Sequence, residues 1–372
     1  MSVYDVIVVG GGPAGAAAAY HLAERGVKVA VVDRAAFPRD KACGDILSKS
    51  ALRCLDRMGL SDFVSSYAPE RVWSGAFTTP DGYTVSHQVD TRYANGELKW
   101  VTIPRYTLDA RLLARAQQAG AVVLERVMAK GLSREVDCVH VAASGVRSNG
   151  LTARLVIIAE GSSGNLVRRP LAQLFAVRGY YSDSSGRDLI MRWTPDLSPG
   201  YEWQFPNTSG LANIGIFTTR QRALQIRIDR RLTMSALTKG KQLAGSLRGA
   251  PVNVSFGKVP AHSERVLFVG DAAGLVQPHI GEGIYPALRS GEIAAECAVQ
   301  ALAANRLDAE NLATYTRRLH EVFDDEMRLA RVLFWVMHHP RLFSAVVSLV
   351  VNNYGRMFRW LARRKPGDSA GL

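Results

Sequence analysis

The run Val6-Ile7-Val8-Val9-Gly10-Gly11-Gly12-Pro13-Ala14-Gly15 constrains this chain more than any other stretch. An apolar, β-branched segment breaks into three glycines and re-emerges as an alanine-rich helix over 16–25. Strand, tight turn and helix N-terminus therefore follow one another directly. Each glycine of Gly10-x-Gly12-x-x-Gly15 has its own reason. Gly10 allows the sharp turn, Gly12 lets a pyrophosphate approach bare backbone, and Gly15 lets the helix pack close to the strand. Pro13 and Ala14 complete the turn, where free N–H groups and the positive end of the helix face phosphate oxygens. A second strand over 28–32 ends in Asp33, placed to accept from a ribose hydroxyl, with Arg34 after it. The stretch reads as a dinucleotide site; the alternative is a glycine-rich turn with no ligand.

The fold class that follows is α/β: a Rossmann-like βαβ domain built from discontinuous segments, with an inserted, mostly antiparallel β-sheet domain and a helical C-terminal tail. Residues 1–70, 101–176 and 259–305 read as the dinucleotide-binding domain. Residues 71–100 and 177–258 read as the substrate domain, and 306–372 as the tail. Within the first, the pattern predicts helices over 48–58 and 107–119, then strands over 121–128, 136–142 and 151–158. On the helix over 107–119, Leu108, Leu112 and Leu113 face inward, while Asp109, Arg111 and Arg115 lie on its polar side. The last of these strands runs into Glu160-Gly161, with Arg168 and Arg169 further along the loop. A strand over 265–269 ends in Gly270-Asp271, and a helix opens after Gly281-Glu282-Gly283-Ile284. Within the second domain, 73–89 alternates around Pro80-Asp81-Gly82 as a hairpin, strands fall over 189–193, 201–205 and 212–217, and a basic helix over 220–248.

The net charge of +13 raises the question of nucleic acid. Between residues 327 and 372, however, Arg328, Arg331, Arg341, Arg356, Arg359, Arg363, Arg364 and Lys365 meet one acid, Asp368, so about half the excess sits in the tail. No recognition-helix, RNP-type or finger pattern accompanies it, and no nucleic-acid partner is expected. An anionic substrate or an acidic membrane surface fits, beside the plain reading of a solvated basic face. Residues 332–351 are apolar but interrupted by His338, His339, Pro340 and Arg341, too broken to span a bilayer. With Phe334, Trp335, Phe343, Phe358 and Trp360, the tail lies on a bilayer surface or packs as a core or lid helix. Cys43, Cys54, Cys138 and Cys297 stand far apart with no CxxC spacing, which argues against a metal site or disulfide framework. The first strand begins by about residue 4 with no leader-like stretch before it, so a reducing cytoplasm is expected.

The glycine turn, the Glu160-Gly161 loop and the Gly270-Asp271 loop each end an apolar strand, and strand C-termini of one parallel sheet share one ligand crevice. Over residues 4–300 the combination resembles flavin-dependent oxidoreductases of the aromatic-hydroxylase fold, which implies FAD. The resemblance implies that Asp271 bonds the ribityl chain, and that Pro278, Gly281, Gly283 and Ile284 lie in the loop against the pyrophosphate and flavin ring. Lys41-Ala42-Cys43-Gly44-Asp45, Tyr201-Glu202-Trp203-Gln204-Phe205-Pro206 and the segment from Gly270 to Ile284 are similar to the geranylgeranyl reductase family. That family hydrogenates isolated C=C bonds of isoprenoid chains. Where it has Gly-x-Gly, this chain reads Gly215-Ile216-Phe217, and a phenylalanine there narrows the cavity.

Such a reduction needs a hydride on one carbon and a proton on the other in a dry slot, the cofactor carrying the hard step. The resemblance puts Cys43, with Gly44 and Asp45, beside the flavin ring, as proton donor, orienting group or small pocket-shaping residue. Tyr201 and Trp203 join Cys43 as catalytic candidates. Tyr201, Trp203 and Phe205 share one face of a strand, as an aromatic wall or as core, with Phe217 and His279 as further candidates for contact with substrate. His279 also reads as a packing residue. Arg105 follows a strand and is placed for flavin phosphate or ring oxygens, and Val127 for the adenine. With no second glycine-rich turn, NAD(P)H docking transiently or a reduced donor protein must supply electrons. A flavin monooxygenase or halogenase is the alternative. Halogenases of this fold carry a Trp-x-Trp-x-Ile-Pro stretch partly like 201–206, but need a lysine, and Lys41 already fits the reductase motif.

Overall fold

The glycine turn folds as its spacing demands. β1 (Val3–Val9) enters α1 (Pro13–Ala23), which returns to β2 (Val29–Asp33). Gly10 has φ +107°, and a Cβ on Gly15 would lie 1.8 Å from the Gly10 carbonyl oxygen, so helix and turn touch backbone to backbone. This computed structural model describes residues 3–67, 72–92, 96–146, 150–166, 173–182, 188–207 and 210–350. Next come β3 (Ile46–Ser48), α2 (Lys49–Arg57) and α3 (Ser61–Ser65). The hairpin of β4 (Val72–Thr78) and β5 (Thr84–Asp90) leaves the first layer, and β6 (Trp100–Thr102) returns to pair with β3. Then follow α4 (Arg105–Gln118), β7 (Val122–Glu125), β8 (Met128–Arg134), β9 (Val139–Ser144) and β10 (Gly150–Ile158).

The second excursion holds β11 (Gln173–Ser182), β12 (Asp188–Arg192), β13 (Tyr201–Pro206), β14 (Leu211–Thr219), α5 (Arg220–Gln225), α6 (Ile228–Thr233) and β15 (Leu243–Asn253). The chain closes on β16 (His262–Ser263), β17 (Val266–Phe268), a 3₁₀ turn at Gly270–Ala273, α7 (Ile284–Ala303) and α8 (Ala309–Met337). A further helix, Pro340–Val350, bends away from α8 by 120°.

Two large sheets result. In the first, β17, β10, β1, β2 and β7 lie parallel in that order, with β16 on one edge and the β8–β9 pair beside β10. β1 and β2 are buried on both faces, as their unbroken Val/Ile runs require. Helices α1, α4 and α7 cover one face, and α1 meets α7 closely: a Cβ on Gly291 would lie 2.4 Å from the Ala14 carbonyl oxygen. The second sheet runs β15-β11-β14-β13-β12-β4-β5, antiparallel except for β12 against β4.

Four expectations change. The basic stretch 220–248 is not one helix: α5 and α6 are separated by Arg227 in a left-handed conformation, and β15 begins at Leu243. Gly245, Gly249 and Pro251 oppose a helix there, and pairing with β11 satisfies the backbone instead. The strand over 121–128 is two strands broken at Arg126, φ +59°, so Val127 sits at a kink rather than mid-strand. The strand β8 itself was missing from the sequence reading. Asp109 is fully buried rather than on the polar side of α4, because two arginines neutralise it there. Arg168, Arg169 and the tail beyond 350, with Phe358, Trp360 and its cluster of cations, lie outside the described residues.

Candidate active site

A cavity of 880 Å³ opens at the C-terminal ends of β1, β2 and β10 and runs to the inner face of the second sheet. That is near the top of the range for ligand sites, roughly 300–1,000 Å³. At the β1 end, among the described residues, no side chain caps α1 and only Arg39 Nη2 lies within 4 Å of where a Cβ on Gly12 would stand. The backbone is bare to a ligand there. Asp33 braces the turn: its Oδ2 accepts from Gly11 N at 2.7 Å and its Oδ1 from Ala35 N at 2.8 Å. Across the crevice, Asp271 Oδ2 accepts from the Ser162 hydroxyl at 2.9 Å and lies 3.7 Å from Lys41 Nζ. Asn253 ties the second sheet to the same corner, donating to Asp271 O at 2.9 Å.

The segment from Cys43 to Asp45 crosses between the two sheets. Asp45 takes a left-handed conformation, φ 66°, and is 1% exposed. Its Oδ2 accepts from the Tyr180 hydroxyl at 2.6 Å and from Asn213 Nδ2 at 2.8 Å, while its Oδ1 has no protein partner. Burial raises the Asp45 carboxyl to about 6, with the Tyr180 and Asn213 hydrogen bonds, Arg178 and Arg105 pulling the other way. Burial also raises the Cys43 thiol, against Arg105, so the sulfur stays protonated. Arg105 is 5% exposed and gives Nε to Asp109 Oδ1 and Nη2 to Oδ2, each at 2.8 Å, while Arg39 Nη1 pairs with the same Oδ2 at 3.0 Å. Part of the guanidinium expected to meet a flavin is thus committed within α4.

Alternation along β13 turns Tyr201, Trp203 and Phe205 onto the cavity wall. Phe217 of β14 joins them, its ring 5.5 Å from Tyr201, and Trp203 lies 6.0 Å from Tyr201 and 6.1 Å from Phe205. Trp203 faces Gly215 across the strands, where a Cβ would stand 2.3 Å from the indole, so the glycine makes room for the ring. The indole Nε1 donates to Asn213 Oδ1 at 3.0 Å, and Asn213 Nδ2 donates to Cys43 O at 2.7 Å. Tyr201 donates to Ile280 O at 2.6 Å; burial raises its phenol too. Met337, Phe334 and Phe343 of the C-terminal helices close the apolar cluster behind the wall.

The cavity therefore brings together Gly10, Gly12, Pro13 and Ala14 from the glycine turn with Asp33 and Arg34 from the end of β2. It adds Cys43, Gly44, Asp45, Arg105, Val127 and Gly161, and on the far side Asp271, Gly281, Gly283 and Ile284. Gly15, Pro278 and His279 are not on its wall. Gly15 serves the packing of α1, Pro278 is buried, and burial lowers His279 to about 4 with its Nδ1 unpartnered. Sequence reasoning did not single out Asn213, Tyr180 or Arg178. The structure buries each of them in a strand, where such groups are almost always hydrogen-bonded, and their sequence neighbourhood carries no signal of it.

A family profile described as FAD binding domain matches residues 3–181. The menaquinone reductase of Mycobacterium tuberculosis is 30% identical over 378 residues, covering 95% of this chain and 88% of that protein. Digeranylgeranylglycerophospholipid reductase 1 of Methanopyrus kandleri is 29% identical, covering 88% of this chain and 89% of its own. The crystal structure of a geranylgeranyl bacteriochlorophyll reductase-like protein from Thermoplasma acidophilum superposes with a TM-score of 0.79 at 25% identity, over 92% of this chain and 90% of that one. A myxobacterial chondrochloren halogenase has the same fold, TM-score 0.73 at 20% identity, over 95% of this chain and 90% of its own.

The residues fit FAD. A bare glycine turn meets an uncapped helix for the pyrophosphate, Asp271 waits across the crevice, and the same cavity is lined further on by the aromatic residues of the second sheet. By its likeness along almost its whole length to named reductases and by this flavin-shaped crevice, the chain belongs to the geranylgeranyl reductase family of FAD-dependent oxidoreductases.

Proposed function

We propose that this FAD-dependent oxidoreductase reduces C=C bonds of an isoprenoid or other apolar chain. The observation that carries the reading is the wall of Tyr201, Trp203, Phe205 and Phe217, which lines one cavity together with the Cys43–Asp45 segment packed against it. Relatives whose names give menaquinone and digeranylgeranylglycerophospholipid as what is reduced support it. Bound and reduced, FAD supplies the hydride. The protein's own part is to hold a chain against the aromatic rings, keep water out, and keep a proton ready. Tyr201 and Trp203 are fixed by hydrogen bonds at their polar ends and offer only ring surface inward. Phe217 limits how far a substrate enters.

The reductant in this reading is NAD(P)H docking transiently or a reduced donor protein. Peripheral membrane contact belongs to the same proposal. Leu329, Val332, Trp335, Leu342, Leu349 and Val350 are exposed on α8 and the following helix, with Arg328, Arg331 and Arg341 among them. An apolar face edged by cations suits an acidic lipid surface, from which an apolar chain would be drawn.

The test is anaerobic. Dithionite-reduced holoenzyme is mixed with geranylgeranyl compounds and isoprenoid quinones, flavin reoxidation is followed, and products are weighed by mass spectrometry. Reoxidation with a product heavier by two hydrogens per bond is expected. Reoxidation only by O₂, with hydroxylated or halogenated products, overturns the reading in favour of a monooxygenase or halogenase. Lys41, the lysine such a halogenase would need, lies beside Asp271.

A further inference from the structure

We infer that the end of the second sheet where α5, α6 and the C-terminal helices meet is one docking face for an acidic bilayer, with α5 and α6 supplying its electrostatic grip. The inference rests on the membrane contact proposed above and adds a second element to it. Residues 220–241 hold seven arginines and lysines against one acid, Asp229. Arg220, Arg227, Arg230 and Lys239 are exposed, while Arg231 is taken up by Asp196 and Glu202. Leu224 and Met234 stand among these cations, each 72% exposed. On their inner sides the two helices are anchored to the sheet by Ala223, Ile228 and Leu232. Single exposed apolar residues are ordinary, so these two gain their meaning from what lies beside them.

The loop 193–200 joins the two surfaces. On one side Asp196 Oδ2 pairs with Arg231 Nε of α6 at 3.0 Å, and Leu197 belongs to the same apolar cluster as Ile228 and Leu232. On the other side Ser198 donates to Met337 O, at the end of α8, at 2.6 Å, and the Trp193 ring lies 5.5 Å from that of Phe343 in the next helix. α5 begins where β14 ends, and β14 ends beside the start of β13, since Phe217 pairs with Tyr201. The basic helices and the exposed Trp335 and Leu342 therefore gather at one end of the sheet.

Cations edging long apolar side chains match an anionic lipid surface, where guanidinium groups meet phosphates and the apolar tips reach the acyl boundary. An acidic protein would answer the charge alone; the apolar C-terminal helices next to the patch favour the bilayer. The docked end is also the end nearest the site. Trp193 lies 5.5 Å from Tyr201, and Tyr201 lines the cavity, so the aromatic wall stands directly behind the face from which an apolar chain would come.

The test is partition of the FAD-loaded full chain into vesicles of phosphatidylcholine with phosphatidylglycerol, followed by sedimentation across a salt series. Arg230→Gln combined with Lys239→Gln is expected to weaken partition about 30-fold, at roughly 1 kcal/mol for each cation beside an anionic surface, and to flatten its fall with salt. Lys130→Gln combined with Arg306→Gln removes the same charge from exposed positions on β8 and after α7, and should leave partition within about threefold of wild type. Leu224→Ser combined with Met234→Ser should weaken it several-fold at every salt concentration. Equal losses from the two charge pairs overturn the face, because net charge alone then holds the protein to lipid. An Arg230→Gln, Lys239→Gln variant that binds as wild type does also overturns it, and leaves α5 and α6 to solvent or to an acidic protein. A wild-type chain that ignores acidic vesicles overturns the membrane contact proposed above, and this face with it, while reduction of a detergent-dispersed isoprenoid stands or falls separately.

Discussion

Asp45 and Phe217 each set a property of the cavity from a single side chain. The folded value of Asp45, about 6, lies above its ordinary 3.8. A group raised in this way stabilises the fold most at acid pH, below its unfolded value, and loses that contribution as pH rises through the folded value. Asp45→Asn carries no charge to bury. Relative to wild type its stability should therefore rise from about pH 4 and level off above about pH 6, a gain of about 3 kcal/mol, in denaturant titrations across pH. Phe217 is 3% exposed and packs against Tyr201 in the aromatic wall of the cavity. Phe217→Ala should cost about 3 kcal/mol in stability and shift reduction toward longer chains, read as product yield against a series of isoprenoid lengths.

At the scale of elements, α4 is the joint between the glycine turn and the segment before β3. Asp109 accepts from Arg105 on its own helix and from Arg39 on the preceding loop, and none of its surface reaches water. Asp109→Ala leaves two buried or half-buried guanidinium groups without a counter-charge, and should destabilise by about 3–5 kcal/mol in chemical unfolding, with loss of bound FAD. This joint was not legible beforehand, since a charged residue on an amphipathic helix normally reads as the wet side. β1, α1 and β2 were legible, because glycine spacing and unbroken Val/Ile runs admit few alternatives. So was the aromatic face of β13, which strand alternation alone dictates. Residues 220–248 misled because arginine and leucine suit a helix locally, and only pairing with β11 makes a strand of 243–253. The same limit hid Asn213 and Tyr180. Their role depends on Asp45, more than a hundred residues earlier in the chain, and no local pattern encodes that meeting.

For the whole molecule, the cavity and the exposed apolar face of the C-terminal helices belong to one arrangement. Met337 and Phe343 pack behind the aromatic wall, while Trp335 is 58% and Leu329 60% exposed on the other side. In sedimentation with vesicles, binding should require acidic lipid, weaken as salt rises, and fall several-fold in Trp335→Ala combined with Leu329→Ala. Phosphatidylcholine vesicles alone should not retain the protein.

The parallel order of the first sheet has a consequence for how this protein is made. β1 finds its neighbour β10 only after the whole first excursion has been synthesised, and β10 finds β17 only after the second. Until then the glycine turn lacks Ala159 against Gly10, and Asp271 does not face it. Such distant pairings are slow to close, because the entropy of long loops is lost before their contacts repay it. The nascent chain thus has no flavin site to offer before its last strand leaves the ribosome, and capture of the cofactor marks the end of folding rather than its nucleus.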